Sequence, residues 1–433
     1  MFPQPSSREF TLAALVTAER DHPRWLDRIS PEPDALLAAF LQHAARTVPA
    51  YRSRLDAKDG PPRLDAFSPI SKDDVVATTA GFTSDAFETS TLHVKTTSGT
   101  TGTPLAVARD PVSWYGFAYD SYRAVASVIP VFAAGLERGE TGVLFLNDNP
   151  IRSPWTVVNP SLRHAKIQKV VLGRDADEDE KIVGDFRRKR PPLLYGRPRT
   201  LLRLAELDGG GDGSDRIRPN AILSSGDNLY DDDRRRLETC FGALVHNAYA
   251  TMEGGFIAVE CPHRTGLHVF PKRARVEVLR PDGTIASTGD GECLVTNLEN
   301  WAMPFVRYRT GDSLVLTEGT CDCGHAGVSI TGLSGRDSTA FVVRGKTVPP
   351  SYFNSRLEQL PVQRFQIVQD GVDELSIQWV PRRDCVDVAS VERSIREFLT
   401  KDIGARRASV EAVETLGPAH DKQARFVTKK PAQ

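Results

Sequence analysis

Short apolar runs alternate with helical stretches through the first two-thirds of the chain, and that alternation restricts the fold more than any other feature. Gly142 to Leu146, Lys169 to Leu172 and Ala221 to Ser225 each read as a strand buried in a sheet. A helix dense in Asp and Arg follows over 231–240, and Ala243 to Val245 reads as the next short strand. Strands alternating with helices form layered α/β structure, because the helices cover the faces of the sheet. From about residue 267 the pattern turns strand-rich: Leu267 to Phe270, Arg275 to Leu279, Glu292 to Thr296. The expectation is a large N-terminal α/β domain with layered sheets and a β-rich subdomain over 1–335. A small α+β domain over 336–433 follows, alternating strands (Thr339 to Val343, Leu375 to Val380) with a helix (Val388 to Leu399).

Before that, Leu36, Leu37, Phe40, Leu41, Ala44 and Ala45 fall at helical spacing, and Pro49 is expected to stop the helix. Ser71 is placed to cap a helix opening Lys-Asp-Asp-Val. Residues 208–215 read as a flexible insertion. The net charge of −1 gives no electrostatic case for a nucleic-acid or membrane-surface partner. The first residues lack the basic-then-apolar order of a signal peptide, and no apolar run approaches the ~20 residues of a membrane span. Six cysteines in 433 residues are too few for a disulfide scaffold. A reduced, cytoplasmic enzyme is expected, a monomer or homodimer acting on a small molecule.

Residues 96–107 read Thr-Thr-Ser-Gly-Thr-Thr-Gly-Thr-Pro-Leu-Ala-Val. Hydroxyls and glycines fill the first eight positions, so backbone and side-chain donors can converge on an anion. A Ser/Thr/Gly surface loop is the plainer alternative. Four weaker signals follow. In Asn247-Ala-Tyr-Ala-Thr-Met-Glu-Gly254, Tyr249 offers a flat ring and Glu253 a carboxylate suited to magnesium, although a solvated Glu after a buried Tyr is commoner. In Met303-Pro-Phe-Val-Arg-Tyr-Arg-Thr-Gly-Asp312, Asp312 follows a Thr-Gly turn and can accept from two ribose hydroxyls, or simply occupy the turn. Arg336, after Gly335, is a ribose or phosphate ligand or a linker arginine. Lys422, in a polar tail, is by default a solvated group.

The order of these signals resembles that of the adenylate-forming superfamily, and within it the phenylacetate–coenzyme A ligase group. The likeness extends to Thr47-Val-Pro-Ala-Tyr-Arg52, Phe67-Ser-Pro-Ile-Ser-Lys-Asp-Asp74 and Gly291-Glu-Cys-Leu-Val-Thr-Asn-Leu298 with Pro304. The resemblance implies that Ser98, Gly99, Thr100, Thr101, Gly102 and Thr103 hold the ATP phosphates. It implies that Tyr249 lies against adenine, within a strand bearing Asn247, Ala248, Ala250 and Thr251, and that Gly226 and Asp227 lie beside it. It makes Glu253 the Mg2+ carboxylate, Asp312 the ribose ligand, Arg336 a hinge arginine and Lys422 the lysine of a mobile C-terminal domain. The implied reaction is ATP-dependent adenylation of a carboxylic acid, aromatic or small and polar, then transfer to coenzyme A.

The departures from the group are equally specific. Thr103 replaces a loop lysine, Met252 replaces a hydroxyl residue, and Gly345-Lys-Thr-Val-Pro-Pro350 alters the stretch near the coenzyme A entry. They keep open an adenylating enzyme that passes its acyl group to an amine, carrier protein or other nucleophile. They also keep open a non-catalytic nucleotide-binding protein. Asn147, Asp148 and Arg152, in the segment expected to line the acid pocket, suggest a polar acid.

Cys321 and Cys323 form a tight pair on a turn, and Cys261 with His268 can complete a tetrahedral zinc site. His263 competes with His268, and His325 is a further candidate. The resemblance favours His268 and a structural Zn2+. Four protein ligands would leave no open position for catalysis.

Overall fold

The computed structural model describes residues 33–55, 61–96, 104–137, 142–147, 154–159, 165–173, 175–209, 216–334, 341–348, 350–357, 359–382, 385–414, 416 and 426–428. Ser98 to Thr103, Asp148, Arg152, Gly335, Arg336 and Lys422 lie outside these. The chain divides into two compact units, Met1–Leu333 and Ser334–Gln433.

In the first unit a helix runs Pro33–Thr47 and buries Leu36, Phe40, Leu41 and Ala44. Pro49 does more than end it: a short second helix, Pro49–Arg52, starts there with proline in its first turn. Ser71 caps the helix Lys72–Ala77 through a capping box with Asp74. A two-stranded hairpin, β1 (His93–Thr96) and β2 (Ala106–Arg109), flanks the glycine-rich loop.

Thirteen strands then form one sheet among the described residues. They are β3 (Val143–Asn147), β4 (Trp155–Asn159), β5 (Ala165–Val171), β6 (Leu193–Gly196), β7 (Ala221–Ser225), β8 (Val245–Thr251), β9 (Gly255–Glu260), β10 (Leu267–Val269), β11 (Ala274–Leu279), β12 (Ile285–Ala286), β13 (Gly289–Asn297), β14 (Tyr308–Thr320) and β15 (Ala326–Ser334). Their spatial order is 12-11-13-14-15-10-9-8-7-6-3-5-4. Strands 8, 7, 6, 3 and 5 are parallel. Parallel strands are covered on both faces, which is why β7 is buried at every position. One face packs on Val183, Phe186, Leu201, Leu204, Leu237 and Phe241 of three helices, and the other on Tyr122, Val125 and Phe132 of two more. The rest of the sheet is antiparallel and packs its inner face on the amino-terminal helices. The layered α/β class is the one expected.

Two local details differ from expectation. β8 begins at Val245 rather than Ala243 and continues past Tyr249 to Thr251. Thr310-Gly311-Asp312 is no turn between strands but lies inside the continuous strand β14. Glu292 pairs with Ser313 and Leu294 with Arg309, so a bulge forms opposite Cys293, with Gly311 at φ +78°. Composition alone does not separate the two cases, because a bulge and a turn both use a glycine with positive φ.

The second unit contains the hairpin β16 (Phe341–Val343) and β17 (Lys346–Val348). A four-stranded sheet follows, made of β18 (Val362–Gly371), β19 (Glu374–Pro381), β20 (Arg407–Ala412) and β21 (Phe426–Thr428). Phe341, Phe353, Phe398 and Phe426 pack edge-on or tilted in its core. No helix among the described residues is long and apolar enough to cross a membrane.

Candidate active site

In open α/β sheets ligands bind beyond the carboxyl ends of the parallel strands. β7 ends there in Ser225, followed by Gly226 at φ +90° and Asp227. β8 carries Asn247, Ala248, Tyr249, Ala250 and Thr251 toward the same end.

The structure joins Tyr249 to Asp312 by a hydrogen bond, and Glu253 to Tyr308 on the same strand as Asp312. The Tyr249 hydroxyl donates to Asp312 Oδ2 at 2.7 Å and lies 3.3 Å from Thr310 Oγ1. The β14 bulge makes this possible by swinging Asp312 out of register, where its N–H donates to Thr310 Oγ1 at 3.1 Å. Burial, with Cys293 and Asp312 nearby, pushes the Tyr249 hydroxyl well above its ordinary value, so it stays a donor.

Glu253 lies in the turn between β8 and β9 and is buried. Its Oε1 accepts from the Tyr308 hydroxyl at 3.0 Å, and its carbonyl accepts from Asn297 Nδ2 at 2.7 Å. Tyr308 is aimed by its neighbour. Arg307 takes φ +50° and forms a buried bidentate pair with Glu277 at 2.9 and 2.7 Å. Ile70 adds a backbone bridge beside it, with Arg309 N–H donating to Ile70 O at 2.9 Å. Tyr308 and Asn297 stand within the sequence segments quoted above, but nothing in their spacing marks them as partners of Glu253. Met252 supplies no hydroxyl. The neighbouring Thr251 Oγ1 accepts from Gly254 N–H at 2.7 Å and keeps its own proton to donate. A buried carboxylate that accepts from one neutral hydroxyl, on a turn whose carbonyl is held by Asn297, suits a hard, oxygen-seeking cation such as magnesium.

An aromatic wall stands at the carboxyl ends of β3 and β6. Phe145 stacks on Tyr195 at 5.0 Å, and Tyr122 meets Tyr195 edge-on at 6.3 Å. Phe256 on β9 and Phe270, just past the end of β10, stack at 6.5 Å. Asn147, at the end of β3, accepts through its carbonyl from Leu172 N–H.

Away from this cleft, Cys261, His268, Cys321 and Cys323 place their ligand atoms within 4.8 Å of one another. Cys321 and Cys323 sit at the β14–β15 tip, where Gly324 N–H donates to Cys321 O at 2.8 Å. β10 pairs with β15, which brings His268 opposite Ser329. Cys261 and Cys321 sulfurs are 3.7 Å apart, close to the roughly 3.8 Å spanned by two thiolates on one tetrahedral zinc. His268 Nε2 lies 3.2 Å from Cys323 Sγ, and its Nδ1 meets Ser329 Oγ at 2.9 Å, an outer partner that fixes the ring. Burial and the rings of His325 and His263 lower His268 to about 4, so it is neutral at pH 7 and able to bind metal. His325 stacks on His268 at 4.2 Å, and His263 is not part of the cluster. The donor set fits zinc.

No protein-family model matches the chain. It is 26% identical over 358 residues to a phenylacetate–coenzyme A ligase of Thermus thermophilus, spanning 78% of this chain and 73% of the relative. It is 25% identical over 369 residues to the Escherichia coli protein of the same name, spanning 78% and 79%. By sequence this chain is a relative of the phenylacetate–coenzyme A ligases. The adenylate-forming fold extends the relationship to solved structures. A 2-hydroxyisobutyryl-CoA ligase in its postadenylation state superposes with TM-score 0.71 at 18% identity, covering 92% of this chain and 88% of that one. An anthranilate CoA ligase bound to anthranoyl-AMP superposes with TM-score 0.51 at 15% identity, covering 77% and 66%.

Proposed function

We propose that this chain is an AMP-forming acid–coenzyme A ligase acting on a carboxylic acid with a flat or compact polar body. The observation that carries the reading is the Tyr249–Asp312 hydrogen bond beside the buried Glu253, at the carboxyl end of a parallel sheet. Tyr249 presents its ring to adenine while its hydroxyl fixes one Asp312 oxygen. The other Asp312 oxygen then accepts from the ribose. Ser98 to Thr103 hold the triphosphate with hydroxyls and backbone N–H groups. Glu253 would hold magnesium, which supplies positive charge beside the phosphates.

A carboxylate oxygen of the acid attacks the α-phosphorus, and the bond to the β-phosphate breaks. Lys422 neutralises the charge that develops as pyrophosphate departs, while Arg336 holds the ribose at the hinge. The thiolate of coenzyme A then enters. The thiolate attacks the acyl carbon and AMP leaves. The Phe145–Tyr195–Tyr122 wall supports an aromatic acid, since aromatic rings favour stacked and edge-on partners. Cys261, His268, Cys321 and Cys323 would hold a structural zinc that ties β9 and β10 to the β14–β15 tip.

A pyrophosphate-release screen over aryl, amino-aryl and short aliphatic acids, with and without coenzyme A, tests the reading. Acid-dependent release with an acyl–CoA product supports it. Release without thioester moves the acceptor to an amine or carrier protein, which the altered Gly345–Pro350 stretch favours. No release with any acid overturns adenylation.

A further inference from the structure

Arg109 ends β2, the strand that leaves the phosphate loop, and its side chain is 1% exposed. Its Nη2 donates to the carbonyl of Met252 at 2.6 Å. The next carbonyl of that turn, at Glu253, is satisfied by the neutral amide of Asn297. A neutral donor therefore suffices for a carbonyl here, whereas burying a guanidinium costs several kcal/mol unless carboxylates compensate it. Three carboxylates act on Arg109: Glu299, Asp110 and Glu253. All three have other partners as well. Asp110 caps the helix Pro111–Val128 through Ser113, and Glu299 pairs with Arg273 at 2.8 Å. Glu253 is the smallest of the three influences and accepts from the Tyr308 hydroxyl, but it shares its turn with Met252, whose carbonyl Arg109 holds. Burial lowers Arg109 only to about 10, so the cation persists at neutral pH.

We propose that Arg109 is a positioning residue: it ties the hairpin carrying the phosphate loop to the Glu253 turn and sets Glu253 for a divalent cation bound with triphosphate. The proposal rests on Glu253 being the metal carboxylate. It also locates a cation in this chain's site, where Thr103 stands in place of the loop lysine. Arg109 is too buried to touch the phosphates itself and acts through Glu253.

The test uses the full chain with ATP and either Mn2+, followed by electron paramagnetic resonance, or Mg2+, followed by pyrophosphate exchange. Arg109→Lys keeps the charge and loses the forked geometry. Should it not fold, Arg109→Gln/Glu299→Gln removes one buried charge of each sign. The expected result is a thermal midpoint close to the parent without nucleotide. The metal concentration for half-saturation rises about tenfold or more, and the exchange rate recovers at saturating metal. Unchanged half-saturation, or a rate loss that excess metal does not relieve, overturns the proposal. Glu253→Gln is the control. If it shifts metal half-saturation and the Arg109 variant does not, only the role of Arg109 falls. If Glu253→Gln shifts nothing, the metal reading of Glu253 falls, and the Arg109 proposal with it.

Discussion

The Tyr249 hydroxyl and Asp312 Oδ2 stand 2.7 Å apart, although β8 and β14 are separated in the sheet by β9, β10 and β15. The sheet curls so that Tyr249 shares a core with Val276, Val278, Val295 and Tyr308. One hydrogen bond thus connects the parallel half of the sheet with the antiparallel half.

Tyr249→Phe should keep the fold, because the ring stays packed and only the hydroxyl is lost. Asp312 then loses the donor that fixes one oxygen. A hydrogen bond to a charged group contributes about 1.5–3 kcal/mol, so the KM for ATP should rise roughly tenfold or more. The kcat for acid-dependent pyrophosphate exchange should change less. A variant with unaltered KM would show that Asp312 is held by its bulge alone.

Lys422→Ala should reduce acid-dependent pyrophosphate exchange by at least about a hundredfold, the scale of losing one charge-stabilising group in a transition state. Thioester formation from a supplied acyl-adenylate should be nearly unchanged, because the second step does not use this lysine. Equal losses in both steps would mark Lys422 as a structural residue.

The layered α/β architecture was legible from buried apolar runs such as Ala221 to Ser225, because parallel strands need two apolar faces. Tyr249, Glu253 and Asp312 stood out through their order along the chain. Their partners did not. Tyr308 reaches Glu253 because Arg307 adopts a positive φ against the distant Glu277, a pairing no local pattern announces. Arg109 reads as an ordinary strand-end arginine, and no local pattern announces that it is buried near Glu299, Asp110 and Glu253. His263 and His268 are both compatible with Cys261 in sequence. The pairing of β10 with β15 brings His268 to the cysteines.

His246 predicts an acid sensitivity of the fold. It is 1% exposed; its Nδ1 lies 3.0 Å from the carbonyl of Glu260, which can only accept, and Nε2 has no hydrogen-bond partner among the described residues. Burial, the largest influence, lowers its pKa below the ordinary 6.5. The unfolded chain therefore binds a proton in a window below about 6.5 where the folded chain does not, and stability falls as pH is lowered through that window. His246→Asn keeps a donor for Glu260 and removes the titration. Its denaturation midpoint should change less between about pH 7.5 and about pH 5 than that of the parent. An identical pH dependence would exclude His246 as a source of the acid sensitivity.

Cys323→Ser provides a sensitive test of the metal cluster, because Cys323 is exposed. An exposed Cys→Ser change with no special contact alters stability by about 0.5 kcal/mol or less. With zinc bound, the same change removes one of four ligands and releases the β14–β15 tip from Cys261 and His268, which lie within 4.8 Å of it. The parent should contain about one zinc per chain and the variant less than ~0.2, given the affinity of structural sites. The variant's thermal midpoint should also fall by several degrees, and treating the parent with a chelator should reproduce that fall. Because the cluster lies away from Tyr249 and Glu253, the KM for ATP should stay close to the parent's at temperatures where the variant is folded. A parent that purifies without zinc, together with a Cys323→Ser variant of unchanged midpoint, would reduce the four residues to a thiol cluster with no metal.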